Sequence, residues 1–321
     1  MEKVKIKEIF DLFIELGIEN DPRGKEEVEK YLARQNAKFQ DLSQEEKEEF
    51  DVERLKNPYA DSRILYGDEN REVNTILAGI DIEIGELLLA DNLRSKGQNI
   101  DLVLAHHPEG KALASLFDVM HLQEDVLHRL GVPINIAEDI MAGRISEVRR
   151  GMLPLNHNKT VDAAKLLDLP FICAHTPADN MVNTFLEKLF AERQPETVGD
   201  VLKILKEIPE YQEAIKLNAG PTIFVGSKER RAGKIFVDMT GGTSGSDDAF
   251  AKLANAGVGT IVGMHIGEKH RKEAEKNHLN VVIAGHMSSD SLGMNLLLDK
   301  LEQKGIEVIC CSGLIRYKRG N

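Results

Sequence analysis

Apolar positions change their period along this chain. From Val4 to Leu16 they recur at helical spacing, then thin into a charged helical segment, Glu26 to Ala37. A second charged helix is opened by Ser43 with Glu46 three residues later, a pattern in which hydroxyl and carboxylate satisfy free N–H groups at a helix start. The polar stretch Asn57 to Asn70, with Pro58, Gly67 and several Asp, breaks the periodicity, so residues 1–70 read as a helical extension followed by a linker. From Val73 onward short β-branched runs alternate with helical segments, which predicts an α/β fold with a mainly parallel sheet covered by helices. Strands are expected over Val73–Ile80, Asp101–Ala105, Phe171–Ala174, Thr222–Val225, Lys234–Asp238, Thr260–Gly263, Asn280–Ala284 and Glu307–Cys310. Helices are expected over Ile84–Lys96, Lys111–Leu130, Ala249–Ala256 and Lys269–Asn277. The Glu- and Lys-rich helical segment Ala191–Lys216 divides this region into two α/β lobes, residues 71–216 and 217–321.

Composition narrows the partners. A chain of 321 residues with 42% hydrophobic content can bury a large core. Its 53 acidic residues against 41 basic ones leave a net charge of −12, with no basic stretch to offset it, which argues against nucleic acid as a partner. No apolar run approaches the roughly 20 residues of a membrane span. The start, Met1 to Lys7, leads into an amphipathic pattern, and a cytoplasmic protein is expected. Cys310 and Cys311 are adjacent and Cys173 lies in an apolar run, so neither a disulfide framework nor a Cys-based zinc site is expected.

The chemistry lies in where the histidines fall. Leu102-Val-Leu-Ala-His106-His107-Pro108, Phe171-Ile-Cys-Ala-His175-Thr176 and Val281-Val-Ile-Ala-Gly-His286 share one grammar: an apolar strand, a small residue, then histidine. Carboxyl ends of parallel strands lie along one edge of a sheet, where ligands bind, so three distant segments can deliver imidazoles to one place. A carboxylate follows four residues later in two of them, as Asp179 after His175 and Asp290 after His286, and positions four apart share a helix face. Pro108 biases His107 towards an extended backbone, which splays the adjacent histidines towards different ions. One such histidine alone reads as an ordinary loop residue; the three together read as a metal site. Nitrogen and oxygen donors suit Zn, Mn, Fe, Co or Ni better than Ca or Mg. His175, beside Thr176, is the candidate for acid–base work because imidazole titrates near neutrality, although a supporting role fits it equally.

Gly79-Ile-Asp81, Asp101-Leu-Val-Leu-Ala-His106-His107-Pro108, Ala174-His175-Thr176-Pro-Ala-Asp179 and Gly285-His286-Met-Ser-Ser-Asp290 together resemble the Nif-three-like family. Its bacterial members are often labelled GTP cyclohydrolase I type 2 homologues. The resemblance runs from about Val73 to the C-terminus. It implies two α/β lobes facing across a cleft, a homo-oligomer in the form of a toroidal hexamer, and two divalent metal ions held by His106, His107, Asp179, His286 and Asp290. Two departures stand out. The last ligand of the family is usually Glu, whereas Asp290 is one methylene shorter, which bears on bridging and on occupancy of the second metal. The segment between His107 and His175 is longer than usual, with an inserted helical stretch around Glu138–Arg150 and a polar Asn156-His157-Asn158-Lys159, which bears on substrate access.

Other positions carry weaker signals. The run from Val237 to Asp247 is a Gly-rich turn between a strand and a helix, which makes Gly241, Gly242 and Thr243 candidate anion-binding residues; a tight turn capped by Ser246 or Asp247 is the plainer reading. His265 and His270 lie close enough in sequence to approach the cleft, and Asp81 is placed to hydrogen-bond a ligand imidazole. The leading function is metal-dependent hydrolysis of a small substrate, a nucleotide or other phosphoester. The alternative is a non-catalytic metal-binding, metal-delivery or regulatory interaction protein. A chain starting near Asn70 is expected to fold and keep its metal.

Overall fold

The computed structural model describes residues 4–319; residues 1–3 and 320–321 lie outside the described residues. The β-branched runs form strands β1 (Arg63–Tyr66), β2 (Thr75–Gly79), β3 (Leu102–Ala105), β4 (Phe171–Cys173), β5 (Thr222–Val225), β6 (Lys234–Asp238), β7 (Val258–Gly263), β8 (Asn280–Ile283) and β9 (Glu307–Cys311). One sheet has the order β9-β2-β3-β4-β1, parallel except at its edge strand β1. The other has the order β5-β8-β7-β6, parallel except at β5. The protein is therefore α/β with mainly parallel strands and an N-terminal helix, α1 (Ile6–Glu19).

Alternate side chains of a strand face opposite ways, and both faces of each sheet are covered. Leu77, Val103 and Phe171 of the first sheet pack with Leu87, Ala90 and Ala164 from helices Ile84–Ser95 and Lys159–Leu166. Ile76, Ala78, Leu102 and Leu104 face the other way, onto helices α2 (Thr176–Arg193) and α3 (His286–Gln303). These two helices form a layer between the sheets. Ala178, Met181, Met294 and Leu298 pack with the first sheet, while Val182, Leu186 and Leu292 pack with Val237, Val262 and Val282 of the second. The outer face of the second sheet, with Ile261, Val281 and Ile283, is covered by helices His121–Leu130, Ile134–Met152 and Ala249–Asn255.

Several expectations change. The polar stretch 57–70 is not a linker: it contains β1, which pairs with β4, and the apolar stripe of α1 places Ile6, Ile9 and Phe13 in the central core. A break at 216 does not separate the sheets. Helices Val198–Leu205 and Pro209–Lys216 pack on the second sheet, as do Leu127, Met141 and Ile145 from the inserted region, whereas β9 returns to the first sheet beside β2. The expected helix Lys111–Leu130 is three short ones, Gly110–Ala114, Leu116–Val119 and His121–Leu130. No helix among the described residues is long and apolar enough to cross a membrane.

Candidate metal centre

Three strand ends and two helix starts converge. After β3, the backbone N–H groups of His106 and His107 donate to the carbonyls of Gly79 and Ile80 at 3.0 Å each, so the pair stays locked to β2 as the chain leaves the sheet. His175 follows β4 and precedes α2, with Asp179 in that helix's first turn, where the helix dipole favours an anion. His286 opens α3 directly after Gly285, whose φ of +114° suits glycine and whose Cβ, if present, would lie 2.8 Å from the Ala219 carbonyl oxygen. Helical spacing then puts Asp179 and Asp290 on the same faces as His175 and His286.

The five side chains implied as ligands meet around the carboxylate of Asp290. Its Oδ1 lies 3.6 Å from His106 Nε2, and its Oδ2 lies 3.5 Å from His107 Nε2 and 3.6 Å from His286 Nε2. Asp179 Oδ1 is 3.5 Å from His106 Nε2 on the first side. Three groups, His106 with Asp179 and Asp290, His107 with His286 and Asp290, and His106 with His107 and His175, have donor atoms within 4.8 Å of one another.

Partners behind the rings fix which nitrogen faces inward. His106 Nδ1 lies 3.2 Å from the Ala174 carbonyl oxygen and His107 Nδ1 lies 2.7 Å from Asp81 Oδ1, so Nδ1–H donates outward and Nε2 presents its lone pair to the centre. The Asp81 contact is the one suggested by its place after β2. His175 Nδ1 lies 2.7 Å from Asp61 Oδ2, and its Nε2 is 3.7 Å from Asp179 Oδ2. Asp61 is fully buried and also accepts from Thr176 Oγ1 at 2.7 Å and Ser62 Oγ at 3.2 Å. Next to it Arg63, itself buried, donates to the Tyr59 and Ser62 carbonyls at 2.6 and 2.7 Å and so pins the turn. Asp61 escaped the sequence reading because it sits in a polar stretch; the Arg63-Ile-Leu-Tyr66 run that follows is the signal that a strand begins there.

The electrostatics match a site built for cations. Burial raises the Asp179 carboxyl to about 6 against the pull of His175 and His106, while Asp290, though burial opposes its charge, is held below the ordinary carboxylate value by His106, His286 and His107. Burial lowers His107 to about 4, helped by His106 and His175. For His175, burial acts against the charge but Asp179 and Asp61 outweigh it and raise the imidazole to about 9. His106 Nε2, Asp179 Oδ1 and both oxygens of Asp290 are buried with no hydrogen-bond partner. Orphaned buried polar atoms are costly, and here they point at one another. Donors about 2.1 Å from a tetrahedral ion stand roughly 3.4 Å apart, close to the 3.5 and 3.6 Å spacings seen between these pairs, so the residues fit a divalent metal.

The remaining sequence candidates lie along one side. The Gly-rich turn is clasped by its carbonyls: Gln123 Nε2 donates to Gly241 and Thr243 at 2.7 Å each, Arg144 Nε to Ser244 at 2.9 Å, and His270 Nε2 lies 3.0 Å from the Gly245 oxygen. The following helix starts at Ala249, and Gly242 and Thr243 of the turn line the cleft. His265 reaches the centre's rim, with its ring 5.2 Å from that of His286. His157 instead lies 2.8 Å from the Met152 carbonyl oxygen on the inserted segment.

Neither a protein-family pattern nor a curated protein matches the chain. Solved structures do. A NIF3 superfamily protein from Sphaerobacter thermophilus is similar at 28% identity over 79% of this chain and 92% of that one, with a TM-score of 0.69. Reduced HcgD from Methanocaldococcus jannaschii is similar at 17% identity over 83% of this chain and 94% of that one, with a TM-score of 0.52, a likeness of fold alone. With this likeness of fold goes a His/Asp cluster able to hold metal, assembled from the same motifs that carry the resemblance in the sequence, and together they support assignment of the chain to the NIF3-like family.

Proposed function

We propose that this protein is a metal-dependent hydrolase of a small substrate, a nucleotide or other phosphoester, holding two divalent ions of the Zn, Mn, Fe, Co or Ni class. The observation that supports this most is the Asp290 carboxylate, buried and without a hydrogen bond, with one oxygen facing His106 and the other facing His107 and His286. A carboxylate so placed suits a bridge between two cations. His106, Asp179 and Asp290 would hold one ion and His107, His286 and Asp290 the other; when bound, such ions supply Lewis acidity at an attacked centre. His175 is proposed as the acid–base residue, presenting Nε2 at the edge of the centre, with Asp61 as a positioning residue that fixes its tautomer. Assembly as a homo-oligomer, a toroidal hexamer, belongs to the same proposal.

A second reading, a metal-delivery or regulatory protein, draws on the exposure of one side of the centre: the His286 side chain is 42% exposed, which favours exchange. Elemental analysis of untagged protein, followed by assays on nucleotides and simple phosphoesters, separates the two. Metal with turnover that falls about 10²-fold or more in His175→Gln at unchanged metal content supports the hydrolase. Metal without turnover supports the carrier, and absence of metal overturns both.

A further inference from the structure

A cavity of ≈ 120 Å³ lies between the outer face of the second sheet and the helices His121–Leu130 and Ile134–Met152, and it opens on His175, Asp179 and His286. One side of it is an apolar wall of Leu127, Met141, Phe236, Phe250, Ile261 and Ile283, and the Gly-rich turn supplies polar residues opposite. A dry cavity of about 150 Å³ holds one benzene, so this space is on the scale of a single small ring. Two residues at the strand ends shape its entrance. Gly263 on β7 stands between Asp238 and Ile283 in register and lines the cavity, and a Cβ there would meet nothing closer than 3.5 Å, ordinary van der Waals contact, so a side chain can be introduced at this position without a clash at its Cβ.

Asp238, the last residue of β6, shares a strand face with Phe236 and lines the same cavity. Asp238 is solvent-exposed at the cavity, and its carboxylate makes no hydrogen bond or ion pair among the described residues. Nearby His270 is already engaged with the Gly245 carbonyl. An unpaired carboxylate beside an apolar wall recruits a donor carried on an apolar body.

We propose that this cavity is the substrate-recognition subsite of the metal centre, taking a compact ring-sized apolar group that carries an amine or other N–H donor, with Asp238 as the specificity-determining residue. The proposal rests on the hydrolase reading for its purpose, but its test does not use turnover. Metal-loaded protein labelled at its methionine methyls reports the cavity through Met141 and Met264, both on its lining. Benzylamine and its neutral counterpart benzyl alcohol are titrated in. Benzylamine is expected to shift both methyls saturably and to bind at least about tenfold more tightly than the alcohol, the scale of one hydrogen bond to a charged group. Asp238→Asn should abolish that preference, and Gly263→Leu should block both compounds while metal content and circular dichroism stay unchanged. Equal affinity for the two compounds, a preference that survives Asp238→Asn, or no saturable shift overturns the subsite. Absent turnover with the binding pattern intact overturns the hydrolase reading alone, and turnover without the pattern overturns the subsite alone.

Discussion

Gly293 of α3 lies against the carbonyl oxygen of Ala178 on α2, so close that a Cβ on Gly293 would stand 2.3 Å from that oxygen. Ala178 precedes Asp179, and Asp290 lies one turn before Gly293, so this contact sets the distance between the two carboxylates of the centre. Gly293→Ala must push the helices apart, at a cost of about 1–3 kcal/mol for overpacking. The expected result is a folded protein with at least tenfold weaker metal affinity, read by competition with a chelator of known strength. Unchanged affinity would show that the helix crossing does not set the site.

Family precedent in the sequence suggests that Asp290→Glu should improve metal occupancy. The structure points the other way, because Asp290 is fully buried and its oxygens already stand at ligand-to-ligand spacing from three imidazoles. An extra methylene would shift the carboxylate from that spacing, and the variant should hold the second ion less tightly. Metal titration followed calorimetrically decides this.

Protons and metal compete for the same atoms. With burial holding Asp179 near 6 in the metal-free protein, dialysis at pH 5 should strip metal that is retained at pH 7.5. For the metal-free protein the sign is fixed by the raised value: stability from protonated Asp179 is fully present below pH 3.8 and is lost as pH rises through about 6. The gain in melting temperature on adding metal should therefore grow from pH 5 to pH 7.5, as read by calorimetry.

A chain beginning at Asn70 should fail to fold, contrary to the expectation from sequence. It lacks Ile6, Ile9 and Phe13, all fully buried, each contributing about 1.5–3 kcal/mol, against a typical total stability of 5–15 kcal/mol. It also lacks β1 and Asp61. Soluble, metal-loaded protein from that truncation would show the N-terminal segment to be an appendage.

The histidines were legible because an apolar strand ending in a small residue and then histidine is a local pattern, and the pleat and the parallel sheet do the rest. His106, His107, His175 and His286 needed no knowledge of packing to be singled out. Asp61 was not legible, since a charged residue between Ala60 and Ser62, shortly after Pro58, looks solvated, and only the buried Arg63 and the pairing of β1 with β4 remove it from water. The boundary at 216 was not legible for a similar reason. Whether Glu307 pairs beside Thr75 or within the second sheet depends on contacts across most of the chain, and periodicity carries no information about them.

Because β9 closes onto β2, and His286 and Asp290 lie beyond the whole second sheet, the order of synthesis constrains how the centre comes into being. A ribosome releases His106, His107, His175 and Asp179 long before their remaining partners exist. For that interval the nascent chain carries a half-built, electron-rich cluster, able to capture any passing cation but lacking Asp290, the carboxylate that faces both groups of histidines. Any metal the complete cluster holds would therefore have to be bound after the chain is finished, when all of its side chains are first present together.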